Sequence, residues 1–409
     1  MFAKTLKQFR ALTPPVRALV FLLWIHTFAS FLVGVFTQIF LYQKFTSVTL
    51  NIFAAFVLYA GCMVGFCIPG YLAGVWRLNI KPGFITSFTI IALSILYLPH
   101  IVTIQDAYVT MFFWGVGQGL FWLTANTYEL IETKDHERDF YSSVLNAGYQ
   151  LLSLLGPATA TLLIYLSGSF FHLGTYTLLF TLAPAVYLLG LFFFSRINNY
   201  HPKPITWADV KHYYVDRQNQ AAQLYTVGAG FQHIVWSIIP PLVIFYILGT
   251  TLNVGLYNTF FAIFSAICLL VVAQYRTKAN RIKIYGITST ILVLALIQYG
   301  YVLTFAALVI YTVVDGIITP LFNVSDHVAA LAVMEVGRKE SDFYASMVFR
   351  DFSLWIWRSV ACGILLLLIH YFGEGRAILS AGLYLLAAGF AISYIGAYWF
   401  TKLSHIVLE

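Results

Sequence analysis

Glu132–Asn146 reads ETKDHERDFYSSVLN, and Glu335–Phe349 reads EVGRKESDFYASMVF. Laid over each other without a gap, the two match at Glu132/Glu335, Glu137/Glu340, Asp139/Asp342, Phe140/Phe343, Tyr141/Tyr344 and Ser143/Ser346. In a chain of 409 residues the offset is about half the length. One module has been built twice, and every other feature can be read in that frame.

The module is a membrane module. Hydrophobic residues make up 60% of the chain and charged residues only 10%, with a mean hydropathy of +0.82. A water-soluble chain of this size needs far more charge to cover its surface. The four cysteines (Cys62, Cys67, Cys268, Cys362) sit in apolar segments without metal-ligand spacing and read as small core residues. The basic N-terminal stretch (Lys4, Lys7, Arg10, Arg17) leads into an apolar run too long for a cleavable signal, so that run is read as a retained first span.

A helical span needs about 20 mostly apolar residues. Stretches of that kind fall at 16–42, 50–73, 82–100, 107–131, 140–166, 174–195, 221–248, 252–274, 283–301, 303–334, 343–371 and 377–400. The expectation is an all-α polytopic membrane protein of 12 transmembrane helices in two pseudo-symmetric six-helix bundles, 1–197 and 221–409. A linker at 198–220 joins them, and Thr206-Trp207-Ala208-Asp209 has capping-box spacing for a short amphipathic helix. With the N-terminus inside, nearly all of the 23 Lys and Arg fall in inside segments, among them Arg77, Lys81, Lys134, Arg196, Lys203, Arg276 and Arg338. Lys44 and Arg376 remain outside, and Arg350 and Arg358 fall within a span. This bias places both termini in the cytoplasm and explains the net charge of +7 without nucleic acid.

Twelve spans in equal halves, both termini inside and a cytoplasmic linker resemble the major facilitator superfamily. After span two that family carries Gly-x-Leu-Ala-Asp-Arg-x-Gly-Arg. Here Gly70-Tyr71-Leu72-Ala73 matches, but Gly74 replaces the acid and Arg77 replaces the second glycine. Gly156-Pro157 in span five partly matches the Gly-Pro of the family's antiporters, which leans the reading towards export. The resemblance implies alternating access, with spans one, four, seven and ten lining a central cavity. A shift of 197 then pairs span four with span ten: Gln118 with Asp315, Asn126 with Asn323, Glu129 with Asp326.

Ionisable groups at membrane depth are costly, so each is a candidate site residue. Asp315 lies halfway along span ten. Asp351 and Arg358 are seven apart on span eleven, on nearly one face, with Trp355 between them. Asp315, Asp351 and Arg358 are expected to carry proton coupling, with Arg358 holding the proton's carboxylate or an anionic group. The expected substrate cavity adds His26, Gln38, Gln118, Asn126, Gln232, His233, Asn323 and Trp355. Arg77, Glu129 and Asp326 are expected to close a cytoplasmic gate through ion pairs with loop residues. The repeated Glu137/Asp139 and Glu340/Asp342 read as helix N-terminal acids. Pro240-Pro241 and Pro320 should bend spans seven and ten.

No Walker loop, nucleophile elbow, metal cluster or haem-type histidine pair occurs, so no enzyme activity, cofactor or metal is expected. The reading is a monomeric secondary transporter of a small amphipathic solute in the cell membrane, coupled to protons. Its rivals are a translocase of lipid or lipid-linked sugar, and a non-transporting receptor on the same fold. The orientation has a direct check. A single cysteine placed beside Lys203 should react with an impermeant maleimide only from the cytoplasmic side, and reaction from outside overturns the topology.

Overall fold

A computed structural model describes residue 9 and residues 12–133, 135–215, 217–272, 281–335 and 343–404. Glu340 and Asp342 lie outside the described residues, as do the side chains of Glu137, Asp139 and His327. Twelve long helices run α1 (Pro14–Phe45), α2 (Val48–Trp76), α3 (Gly83–Tyr97), α4 (Ile104–Glu132), α5 (Asp135–Tyr165) and α6 (Thr177–Leu189), then α7 (Arg217–Leu248), α8 (Thr251–Val272), α9 (Arg281–Val302), α10 (Phe305–Glu335), α11 (Phe343–Phe372) and α12 (Arg376–Ser404). Ten segments among the described residues are long and apolar enough to cross a membrane by themselves. α4 and α8 are not among them: in α4, Gln118, Asn126 and the glycines dilute the apolar run, and α8 runs into side chains outside the described residues.

The linker helix Trp207–Val215 forms where the capping box lies: the Thr206 N–H donates to Asp209 Oδ2 at 2.7 Å, and the Asp209 N–H returns to Thr206 Oγ1 at 3.4 Å. Both copies of the repeated segment straddle the same junction, from the end of α4 into α5 and from the end of α10 into α11. The repeated tyrosines, Tyr141 and Tyr344, are fully buried. α7 runs through Pro240 and Pro241, and α10 through Pro320, without a break in helix.

The chain forms two compact units: Met1–Gly34 with Ala60–Pro204, and Val35–Tyr59 with Ile205–Glu409. In the first, α3 packs against α4 and α6, and Gly119 of α4 lies on the carbonyl of Cys62 in α2, an approach that any side chain would block. In the second, α12 packs along α7 and α9, and α11 along α7. Gln232 of α7 ties that seam, donating from Nε2 to the Gly389 carbonyl at 3.1 Å and to Ser393 Oγ at 2.7 Å.

The piece Val35–Tyr59 is held to the second unit at several points, among them Gln43, which donates to Thr251 Oγ1 at 3.1 Å, and one acidic residue. Gly373, with φ +74°, ends α11 in a left-handed turn that puts Glu374 into the loop before α12. Its carboxylate accepts from the Val48 N–H at 2.6 Å, the Thr49 N–H at 3.0 Å and Ser47 Oγ at 2.9 Å, the free donors at the N-terminus of α2. Partial burial pushes the Glu374 carboxyl up, but the bonds from Thr49, Val48 and Ser47 together outweigh it and hold the group below its usual range. A depressed carboxylate stabilises the fold above its unfolded pKa of about 4.3, and that contribution disappears as pH falls through the folded value. Glu374→Gln should therefore lower the melting temperature at pH 7, by a deficit that shrinks as pH falls below about 4.3; a deficit that stays constant as pH falls refutes the carboxylate's role.

Candidate functional site

In the first unit, His26 and Gln118 meet in a polar cluster in which His26 Nδ1 is buried without a partner among the described residues. His26 on α1 is 3% exposed, and its ring stacks on Phe121 of α4 at 3.7 Å with Trp122 edge-on at 5.5 Å. Gln118 is within hydrogen-bonding reach of both His26 and Tyr187, and Tyr187 continues to Ser30 Oγ at 3.2 Å. Gln118, Trp122 and Asn126 follow at four-residue spacing along one face of α4. A network of this kind fixes α1 against α4 and α6 as much as it offers contacts to a solute.

In the second unit, Arg358 stands at the middle of α11 and is 8% exposed. Its Nη2 donates to His233 Nδ1 on α7 at 2.8 Å, and its guanidinium lies 4.6 Å from the centre of the Tyr59 ring on α2. Tyr59 in turn donates its hydroxyl to the His233 carbonyl at 3.0 Å. A guanidinium can only donate, so His233 Nδ1 is the accepting nitrogen and the proton sits on Nε2. Two helices come close enough for this because of Gly230. A Cβ there would stand 2.7 Å from Trp357 Cβ and 3.2 Å from the Arg358 nitrogen. Arg358 Nε and Trp355 Nε1 are buried without a partner among the described residues.

Asp315 is 4% exposed on α10, about 15 Å from the helix start by the rise per residue. It accepts from Thr319 one turn on. Among the described residues no cation bridges it, so the meeting of Asp315 with Arg358 considered from the sequence is not made here. Thr103 and Thr304 cap α4 and α10. Counted from those caps, Asp315 stands one turn nearer its helix start than Gln118. Counted from the helix ends at Glu132 and Glu335, the two differ by six residues, because α10 is two residues longer than α4.

Asp326 accepts from Tyr285 on α9 at 2.7 Å and Tyr225 on α7 at 3.0 Å. The basic loop after α8 lies outside the described residues. Gln232 is spent on the α7–α12 seam. Asp351 is half-buried on α11, Gln38 is buried with Oε1 unpartnered among the described residues, and Asn323 is exposed on α10. At Arg77, φ is +51° and the carbonyl receives the His201 ring at 2.7 Å; Glu129 is half-buried near the end of α4.

No protein-family model and no curated protein matches the sequence. Solved structures do match in fold. A bacterial homologue of the human lysosomal transporter Spinster, inward-facing and unoccupied, is 11% identical with a TM-score of 0.65, over 95% of this chain and 97% of that one. The peptide transporter POT in complex with sulfate is 14% identical with a TM-score of 0.66, over 99% of each. The human organic anion transporter MFSD10 is 12% identical with a TM-score of 0.61, over 93% of this chain and 99% of that one. The chain has the major facilitator fold.

Within that fold, sequence reasoning missed four participants. Tyr59 was one of 27 tyrosines with no mark to distinguish it. Tyr225 and Tyr285 become visible only once three helices converge on Asp326. Gly230 carried one faint signal, a Gly-x-Gly at 228–230 opening a polar Gln-His pair. Its importance can be measured. Gly230→Leu should destabilise the protein by about 1–3 kcal/mol through overpacking and separate His233 from Arg358; a melting curve and ligand response like wild type would show that the close approach is not needed.

Proposed function

We propose that this chain is a secondary transporter that carries a small amphipathic organic solute by alternating access of its two six-helix halves, with a proton as the coupling ion and export as its direction. The observation that carries the reading is Asp315, a carboxylate 4% exposed at mid-helix with a threonine as its hydrogen-bonding partner. A carboxylate without a counter-ion at that depth is tolerated when a proton or a cation neutralises it in part of the cycle. Taking up a proton from one side and losing it to the other is the simplest cycle available to it. Solved structures of the same fold described as peptide, nucleoside and organic anion transporters support transport as the use of the scaffold. Arg358 and Asp351 adjust the local field around the site, and Glu129 and Arg77 keep a gating role at the cytoplasmic ends of their helices. The protein acts in the cell membrane as a monomer, with both termini in the cytoplasm.

The test uses purified protein in liposomes with an imposed pH gradient and a panel of organic solutes. Wild type should couple solute accumulation to proton flux. Asp315→Asn should abolish accumulation against a gradient while leaving solute exchange near wild-type rates. If Asp315→Asn accumulates solute as well as wild type, coupling through this residue is wrong.

A further inference from the structure

We propose, building on the transport reading above, that Arg358, Trp355, His233 and Tyr59 form the subsite that receives the anionic end of the solute, and that the solute is an organic anion with a carboxylate-type head and an apolar body.

The argument begins with donors and acceptors. Arg358 has spent Nη2 on His233, which offers it a neutral ring nitrogen and no charge. Its other neighbour is the face of Tyr59, which steadies a cation without neutralising it. Arg358 Nε is buried and unpartnered among the described residues, and so is Nε1 of Trp355, one turn away on the same face of α11. Both orphans are donors, and neither residue can accept. A buried site with two idle donors and a fixed positive charge lacks acceptor oxygens and one negative charge. A carboxylate supplies both.

Nearby acids do not fill the vacancy. Asp351 stands two turns back on α11, about 10 Å along the axis, and makes no ion pair with Arg358 among the described residues. Asp315 is engaged by Thr319. The subsite can be reached, because His233, bonded to Arg358, is itself exposed. Arg358 beside a neutral histidine supplies the positive charge at the subsite, while Arg350, eight residues back on α11 with Nη1 buried and unpartnered among the described residues, stands beside Asp351. The walls are aromatic: Phe352 lies 6.0 Å from Trp355, and Phe231 lies 6.4 Å from Trp357.

The test is binding to the full-length protein in detergent, by calorimetry, of three probes on one skeleton: phenylacetate, phenylacetamide and phenethylamine. Phenylacetate should bind at least about tenfold tighter than the amide, since the site's donors are left unpaired by the wrong head group, and the amine should not compete. Arg358→Gln should erase the preference for carboxylate, and Arg358→Lys should keep part of it, a charge without the planar fork. Should Arg358→Gln fail to fold, Tyr59→Leu takes its place, with a several-fold loss in phenylacetate affinity expected. No carboxylate preference, or a preference that survives both Arg358→Gln and Tyr59→Leu, overturns the proposal. Repeating the titration in phosphatidylcholine nanodiscs with and without phosphatidylglycerol identifies the source of the anion: displacement of phenylacetate by the anionic lipid assigns the subsite to a headgroup, and indifference assigns it to a free solute. Counterflow of labelled phenylacetate in liposomes separates this inference from the transport reading. Carboxylate-selective binding without counterflow sinks transport and leaves the subsite standing; counterflow unchanged in Arg358→Gln sinks the subsite and leaves transport standing.

Discussion

A full positive charge at the middle of a membrane helix is the constraint around which the second unit is organised. Removing a guanidinium from water into hydrocarbon costs several kcal/mol even after relaxation, and Arg358 sits too far from either helix end to reach the interface. The protein surrounds it with whatever can solvate a cation: the π face of Tyr59 and the lone pair of His233. Those contacts depend on α7 being held at the correct rotation. Gln232 and His233 are neighbours, so they point about 100° apart; Gln232 is anchored to α12, which aims His233 at α11. The α7–α12 seam and the Gly230 contact are thus the support of the Arg358 site as well as packing.

The first unit shows what the same module does without that charge. α1 and α7 are each 32 residues long and start 203 positions apart, the offset of the repeated segment. At that offset His233 corresponds to Ser30, Asp351 to Gly148 and Arg358 to Leu155. Ser30 bonds to Tyr187, Gly148 lies on the Trp24 ring, and Leu155 is exposed. Neutral groups satisfy every one of those positions, so the fold itself does not require a cation there. A charge that packing does not need, kept at a cost in one half alone, points to chemistry rather than architecture.

Much of this was legible in the sequence, for physical reasons that also mark where legibility ends. Membrane spans announce themselves because hydrocarbon tolerates little else, and the repeat supplies the register between halves. Charged residues at depth are conspicuous for the same reason, so Asp315, Asp351 and Arg358 were readable as candidates. Their partners were not. Whether Arg358 meets Asp315 or His233 depends on helix rotation and on how near two backbones can come, and a single glycine decides the second. Asp326 shows the same limit: its acidity was visible, but the two phenols that donate to it come from helices 41 and 101 residues away in sequence.

The boundary between the compact units crosses α1 and α2 rather than the linker alone. It passes between Gly34 and Val35, and again between Tyr59 and Ala60. In the proposed cycle the two halves change their relative orientation, so these helices must either flex at those points or release Val35–Tyr59 from the second unit. Gly34 has open space around the position of a Cβ, which leaves the chain room to flex there. At the other crossing stands Tyr59, the residue on which the Arg358 guanidinium rests. A ligand that drew Arg358 away from that ring would loosen one fastening of Val35–Tyr59, while Glu374 held another at the N-terminus of α2. Binding at Arg358 and the loosening of Val35–Tyr59 at its Tyr59 end are then linked through one side chain, which is the differential contact that any ligand-driven change of state requires.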